Sequence, residues 1–304
     1  MIEKRLDWPK VSVVIPTRDR PTLLERAVRS VLAQDYPGAV ECLVVFDQSP
    51  VVPVSVQYNS WDRELRFLRN SRSPGVSGAR NSGALVAKGE LISFCDDDDE
   101  WLPGKARKQV KMLTAMDHAT VACGIYVRAG GRDITRFAPA FTSYANLLRN
   151  FPMELNSSTW MLHRADFVEL MYDEKMRYAE DCEWLLRVAR KMKIVALHEP
   201  LVRIHWDRRS WVVGRWRYVA EDLSYLVEKH PELQNDHFGL ARIYSEIAFA
   251  YAALGRKTEA RRWLREALSL NWLEIRAYLT LLVLSGVVGP STIFRTINFF
   301  GRGI

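Results

Sequence analysis

Five successive carboxylates, Asp96-Asp97-Asp98-Asp99-Glu100, follow directly on the apolar run Leu91-Ile92-Ser93-Phe94. A run of that length reads as a buried strand, and acids at its end then sit on the edge where open α/β sheets collect ligands. Adjacent carboxylates repel one another, so a counter-charge is expected. Hard oxygen donors suit Mg²⁺ or Mn²⁺, ions that also bridge to substrate phosphates. A solvated turn that caps the next helix needs one acid and leaves four without a purpose. A second acidic pair, Glu180-Asp181, opens a helix expected over 180–191, where an Asp is commonly an N-cap with no chemical role.

Repeated strand–loop–helix units must hold these acids in place. Val11-Ser12-Val13-Val14-Ile15 is a β-branched run broken at Pro16; Asp19 and Pro21 then signal a helix start, and Leu24, Ala27, Val28, Val31 and Leu32 recur at helical spacing. Cys42-Leu43-Val44-Val45-Phe46 runs into Asp47-Gln48-Ser49-Pro50. Leu65-Arg66-Phe67-Leu68 runs into a Gly- and Ser-rich loop that opens a helix over 78–88. With the strand at 91–94, four strands should end on one edge of a parallel sheet. Beyond the acids, a helix is expected over 103–116 and a strand over 121–127. Residues 130–156 read as an irregular wall containing one short helix. A strand over 159–162, a helix over 164–171 and two short strands over 194–197 and 201–204 complete the unit. From about Trp216 the pattern is helical only, which puts a domain boundary near residue 212, with an α/β domain over 1–212 and a helical region over 213–304. Residues 248–268 resemble one tetratricopeptide-type helix pair, which cannot bury its own face and should pack on a neighbour.

At 304 residues and 48% hydrophobic, the chain can bury a full α/β core. Cys42, Cys95, Cys123 and Cys182 show no C-x-x-C spacing, which argues against a disulfide framework or zinc site and fits a reducing cytoplasm. No secretory signal precedes the first strand. The net charge of +7 points to an anionic partner without choosing among nucleic acid, a membrane surface and a phosphorylated substrate.

Taken in order, Pro16-Thr17-Arg18-Asp19-Arg20, Asp47, Gly78-Ala79-Arg80-Asn81-Ser82-Gly83, the acidic stretch and Glu180-Asp181 resemble the family-2 glycosyltransferases of the GT-A fold, across residues 10 to 210. The resemblance implies a Rossmann-like, mostly parallel sheet flanked by helices, and inverting transfer of a sugar from a nucleotide-sugar donor, with UDP-sugars favoured. Its carry-over puts Pro16, Thr17 and Arg18 near the nucleotide, Asp47 on the base or ribose and Arg80 on the diphosphate, where a guanidinium forks onto phosphate oxygens. It makes Asp98 the main ligand of Mg²⁺ or Mn²⁺, assigns Asp97 or Asp96 to the ribose or metal-bound water, and makes Asp181, paired with Glu180, the general base toward the acceptor hydroxyl. His205 matches a position near the metal or diphosphate. Relatives commonly carry Asp-Asp-Gly-Ser where this chain has Phe46-Asp47-Gln48-Ser49, which leaves the base identity open. A turn-forming role for Asp47 and a structural role for His205 stand as the plain alternatives.

The expected acceptor is a glycan or a lipid-linked glycan on the cytoplasmic side, with peripheral membrane contact. Trp206, Arg208, Arg209, Trp211, Arg215, Trp216 and Arg217 would grip an anionic acceptor, stack against the helical region, or bind single-stranded nucleic acid; no nucleic-acid module is visible, and none is expected as partner. Residues 277–288 are apolar but shorter than the ~20 residues of a membrane span. With Phe294, Arg295, Phe299, Phe300 and Arg302, they read either as an interfacial segment or as a buried helix with a frayed tail. The rival readings are a degenerate transferase domain serving as a platform, and a nucleotidyltransferase, whose Gly-rich Arg-containing signature is missing after the first strand.

Overall fold

The computed structural model describes residues 8–58, 61–116, 118–206 and 214–299. The boundary expected near 212 and the residues Arg208, Arg209 and Trp211 lie outside them, as do the side chains of Phe294, Arg295, Phe299, Phe300 and Arg302.

The chain opens with β1 (Val11–Thr17), α1 (Pro21–Leu32), β2 (Val40–Phe46), β3 (Arg63–Arg69), α2 (Val76–Val86) and β4 (Leu91–Phe94). Strands β3, β2, β1 and β4 are neighbours in that order and pair in parallel. β1, β2 and β4 are mainly apolar and buried along their whole length because both faces are covered, whereas the edge strand β3 mixes charged and apolar residues and is half-buried. Val13 and Ile15 of β1 join one core cluster with Leu24 and Val28 of α1, whereas Val14 faces α2 in the other. Gly83 explains how α2 approaches so closely: a Cβ there would lie 2.5 Å from Val14 Cγ1 and 3.1 Å from Val45 Cγ2. That approach carries Arg80 beneath the acidic loop.

After the acids come β5 (Glu100–Trp101), α3 (Lys105–Leu113), β6 (Ala119–Ala129), β7 (Arg132–Arg136), β8 (Phe141–Thr142), α4 (Tyr144–Arg149), β9 (Met161–His163), α5 (Arg164–Glu169), α6 (Glu180–Val188) and β10 (Lys193–His205). The sheet order is β3-β2-β1-β4-β9-β6-β10-β5, with β9 antiparallel to both β4 and β6, so the sheet is mixed beyond its first four strands. Two expectations change. The segment 130–156 is not wholly irregular: Gly130 and Gly131, at φ of 56° and 74°, make a two-residue hairpin joining β6 to β7. The two short strands expected over 194–204 are one strand, β10, whose pairing with β6 shifts register around Pro200 and then resumes.

The helical region comprises α7 (Trp216–Lys229), a 3₁₀ turn over Pro231–Asn235, α8 (His237–Ala253), α9 (Lys257–Leu270), α10 (Ile275–Leu284) and α11 (Pro290–Phe299). Helices α8 and α9 form the expected pair, and α8 packs on the α/β unit. A Cβ on Gly239 would fall 1.8 Å from the Leu148 carbonyl oxygen, so the backbones of α8 and α4 are nearly in contact. Ile243 and Ile247 share a core with Leu147, Trp160 and Trp184.

Candidate active site

The ends of β1 and β4, the turn after β2, the start of α2 and the first turn of α6 converge on one cleft of about 1110 Å³. Pro16, Thr17, Arg18, Asp47, Arg80, Asp96, Asp97, Asp98, Glu180 and Asp181 all line it. His205 does not. It lies on β10 with Nε2 2.6 Å from Glu100 Oε1, and burial lowers its proton affinity in spite of that partner. The pairing of β10 with β5 aligns Arg203 with Glu100 and brings His205 to the same carboxylate. His205 thus pairs with Glu100 here and is not among the residues that line the cleft.

Each acid of the run has a partner, one of them shared. Asp97 accepts from Thr17 Oγ1 at 2.8 Å and from Arg20 Nη1 at 3.1 Å, and the same Nη1 donates to Asp98 Oδ2 at 2.9 Å. Asp96 accepts from Arg80 Nη2 at 2.7 Å, and buried Asp99 from Ser158 Oγ at 2.6 Å. Arg26 pairs with Glu100 at 3.0 Å. The chain thus supplies much of the counter-charge that the sequence seemed to lack, through guanidinia from distant elements. Neutralisation is incomplete. Burial and the Asp98 charge, against the pull of Arg20, push Asp97 up to about 6; burial and Asp96 raise Asp98, and burial with Asp98 holds Asp99 well above the carboxylate range.

This excess of poorly neutralised hard oxygens fits a divalent cation. Asp98 is the member best placed to meet one, its side chain being 37% exposed on the cleft. Among the described residues no group of three or more His, Cys, Asp or Glu side chains forms a ready-made metal set. A bound ion would therefore draw most of its ligands from phosphate and water, as Mg²⁺ sites commonly do.

Arg80 is the buried centre of the site. At 2% side-chain exposure it donates Nη1 to Glu180 Oε1 at 2.9 Å and Nη2 to Asp96 and to Ser157 Oγ at 2.7 Å, with Asp181 Oδ1 3.6 Å away. Its described hydrogen bonds are to protein groups, which make it a counter-charge for the surrounding carboxylates on the cleft where the diphosphate contact is expected. Asp181 accepts from Ser157 N at 3.1 Å on Oδ2 and from Tyr172 Oη at 3.1 Å on Oδ1. The N-cap of α6 is Ala179 at φ 58°, with no side-chain capping bond, so Asp181 is not the cap. Burial, opposed by Arg80 and reinforced by Glu180 and Asp96, pushes Asp181 up to about 7. Asp47 accepts from Asn70 Nδ2 at 2.9 Å and from Gly75 N at 3.1 Å, which ties the second strand's turn to the start of α2.

Sequence reasoning missed Arg20, Ser157, Ser158, Tyr172 and Asp222. The polar run Asn156-Ser157-Ser158-Thr159 ahead of buried Trp160 was an available signal. Asp222 on α7 gave none: its Oδ2 accepts from the amides of Arg177 and Tyr178 at 2.6 and 2.7 Å, pinning the loop that leads into Asp181. Asp173 in the same loop bonds Lys229 at 2.6 Å and Tyr225 at 2.9 Å. The helical region thus braces the acidic end of α6.

A family profile described as Glycosyl transferase family 2 matches residues 12–176, more than half of the 304-residue chain. The GalNAc(5)-diNAcBac-PP-undecaprenol beta-1,3-glucosyltransferase of Campylobacter jejuni is 40% identical over 99 residues, 32% of this chain and 32% of that protein, so the similarity spans about a third of that relative. Among solved structures, S. aureus TarS 1-349 in complex with UDP-GlcNAc superposes with a TM-score of 0.56 at 15% identity, over 96% of this chain and 92% of that one. Mannosyltransferase PcManGT from Pyrobaculum calidifontis, solved with GDP-Man and Mn²⁺, gives 0.56 at 17% identity over 95% and 84%. At such identities the likeness establishes the fold, which is GT-A as the motifs implied. With acids after the fourth strand and Asp47 after the second on the cleft that Glu180-Asp181 also lines, and with the profile matched over residues 12–176, which hold the first two of these, the chain belongs to glycosyl transferase family 2.

Proposed function

We propose that this chain is an inverting glycosyltransferase that moves a sugar from a nucleoside-diphosphate sugar, UDP-sugars being the favoured class, onto a glycan or lipid-linked acceptor. The observation that carries the reading is Asp181: a cleft-lining carboxylate, 20% exposed, whose proton affinity lies near neutrality. That is the poise of a general base. Tyr172 and the Ser157 amide each occupy one lone pair of its two oxygens, which leaves acceptor capacity on both. Asp181 takes the proton of the acceptor hydroxyl as that oxygen bonds to the anomeric carbon. The bond to the departing diphosphate breaks with its electron pair, and configuration inverts. Glu180 and Arg80 set the charge around the base.

Asp98, with Asp97 or Asp96, would hold Mg²⁺ or Mn²⁺, which when bound acts as a Lewis acid that neutralises the leaving nucleoside diphosphate. Pro16, Thr17, Arg18 and Asp47 form the proposed nucleotide wall. The solved neighbours support a nucleotide-sugar donor and a divalent ion, one holding UDP-GlcNAc and the other GDP-Man with Mn²⁺. The undecaprenol-linked substrate in the name of the Campylobacter jejuni relative supports a lipid-linked acceptor. The proposed organisation is a catalytic unit over 1–212 and a bracing helical region over 213–304, at the cytoplasmic face of a membrane. Among the described residues no helix is long and apolar enough to cross one.

The test pairs UDP- and GDP-sugars in turn with a polyprenyl-diphosphate-linked glycan and follows nucleoside diphosphate release. Release that requires both donor and acceptor is expected. Release that ignores the acceptor, or donor binding without transfer in every pairing, would overturn the reading.

A further inference from the structure

Sixteen large apolar side chains stand exposed among the described residues, and seven of them fall between Trp272 and Val287. Trp272 and Leu273, 69% and 66% exposed, form the turn that joins α9 to α10. Ile275, Tyr278 and Leu282 follow at helical spacing on α10, alongside Leu281. The helix cannot turn these groups inward, because its other side is already used: Ala277 and Thr280 are buried, Ala277 in a cluster with Ala248 and Leu264.

Charge is distributed unevenly around this face. Glu274 and Arg276 pair with each other at 3.1 Å, and Arg276 also reaches Glu246 at 3.8 Å, so the two charges nearest the face are satisfied within the protein. Residues 277–294 contain no charged side chain at all. The adjoining stretch 256–270, which holds α9, carries five basic side chains against two acidic ones, with Arg261, Arg262 and Arg265 exposed.

We propose that this α9–α10 face docks onto an anionic lipid surface. An uncharged apolar helix side with a Trp and a Tyr at its N-terminal end, next to an arginine-bearing helix, matches the composition of elements that lie in a bilayer interface. The aliphatic groups enter the acyl boundary, the aromatic rings sit at headgroup level, and the arginines meet lipid phosphates. Tyr278 Oη donates to the Trp272 carbonyl at 2.6 Å, which ties the two aromatic residues together at the head of α10. The face overlaps the segment 277–288 and extends it back through Ile275 to Trp272 and to the arginines of α9. The inference deepens the membrane placement that accompanies the transferase reading, and its test, which uses neither donor nor acceptor, can fail without touching that reading.

The full chain is floated with vesicles of phosphatidylglycerol and phosphatidylcholine in equal parts, and with phosphatidylcholine alone. Co-flotation with the anionic vesicles is expected. The paired substitution Ile275→Glu and Leu282→Glu should reduce the bound fraction at least ~10-fold, since two apolar side chains are withdrawn from the interface. Arg261→Glu with Arg265→Glu should abolish the preference for phosphatidylglycerol while leaving melting unchanged. All four side chains are exposed, so the fold is preserved. Absence of co-flotation by the full chain, or equal flotation by the variants, would overturn the proposal. So would light scattering that shows the glutamate pair splitting a dimer with flotation unaltered, which would assign the face to a second copy of the chain.

Discussion

Replacing Arg80 by Met separates two roles for the most buried cation of the site. In the structure the guanidinium holds Asp96 at 2.7 Å and Glu180 at 2.9 Å, with Asp181 at 3.6 Å. Removing one partner of a buried ion pair costs about 3–5 kcal/mol, because the other charge is left without compensation. Asp96 and Asp181 keep 33% and 20% of their side-chain surface, so water offsets part of the loss and about 3 kcal/mol is expected. At roughly 2–4 °C per kcal/mol for a chain of this size, the ligand-free protein should melt roughly 6–12 °C lower. The pH dependence has a definite sign. Beside Arg80 the Asp181 carboxyl already sits at about 7; without the guanidinium it binds its proton more tightly still, so the deficit from this group is small in acid and widens as pH rises above about 7. Calorimetry of both proteins at about pH 5.5 and about pH 8 measures the two deficits. An unchanged melting temperature with lost nucleoside diphosphate binding would refute the reasoning and return Arg80 to the diphosphate.

Three further outcomes follow from the same geometry. Asp222→Ala frees the amides of Arg177 and Tyr178 and should lower kcat roughly 10- to 100-fold through misplacement of α6, with the donor Kd unchanged by calorimetric titration; an unaltered kcat would remove the bracing role. Because Asp181 is pushed up to about 7 and serves as a base only when deprotonated, kcat/KM should rise tenfold per pH unit below about 7 and level off above it; a flat pH profile would exclude a base of this proton affinity. Asp98→Asn should weaken Mn²⁺-dependent nucleoside diphosphate binding at least ~10-fold while leaving the melting temperature near wild type, and equal binding with and without chelator would refute the metal assignment.

The sheet and the acidic edge were legible because β1, β2 and β4 are covered on both faces, which demands uninterrupted β-branched and apolar runs that end abruptly. The counter-charges were not, since Arg20, Arg26, Arg80 and Arg203 meet the acids only after folding, across separations a linear reading cannot pair. Adjacent like charges are visible in the sequence; the guanidinia between them are not. The β6–β7 hairpin is a different kind of miss, because Gly130-Gly131 is a turn signal that was read as irregularity. Asp222 shows a third kind: a single Asp in an apolar helical stripe carries no mark of the two amides it will accept.

The most direct test of the account is the Asp181→Asn variant under acceptor saturation. The amide keeps the shape of the carboxylate and loses its basicity. Donor and metal binding by calorimetry should match wild type, melting should fall only modestly because the amide keeps one of the two oxygens that Ser157 N and Tyr172 Oη use, and the transfer rate should fall at least ~10²-fold. A transfer rate near wild type with donor binding intact would contradict the account and move the base to another carboxylate of the cleft.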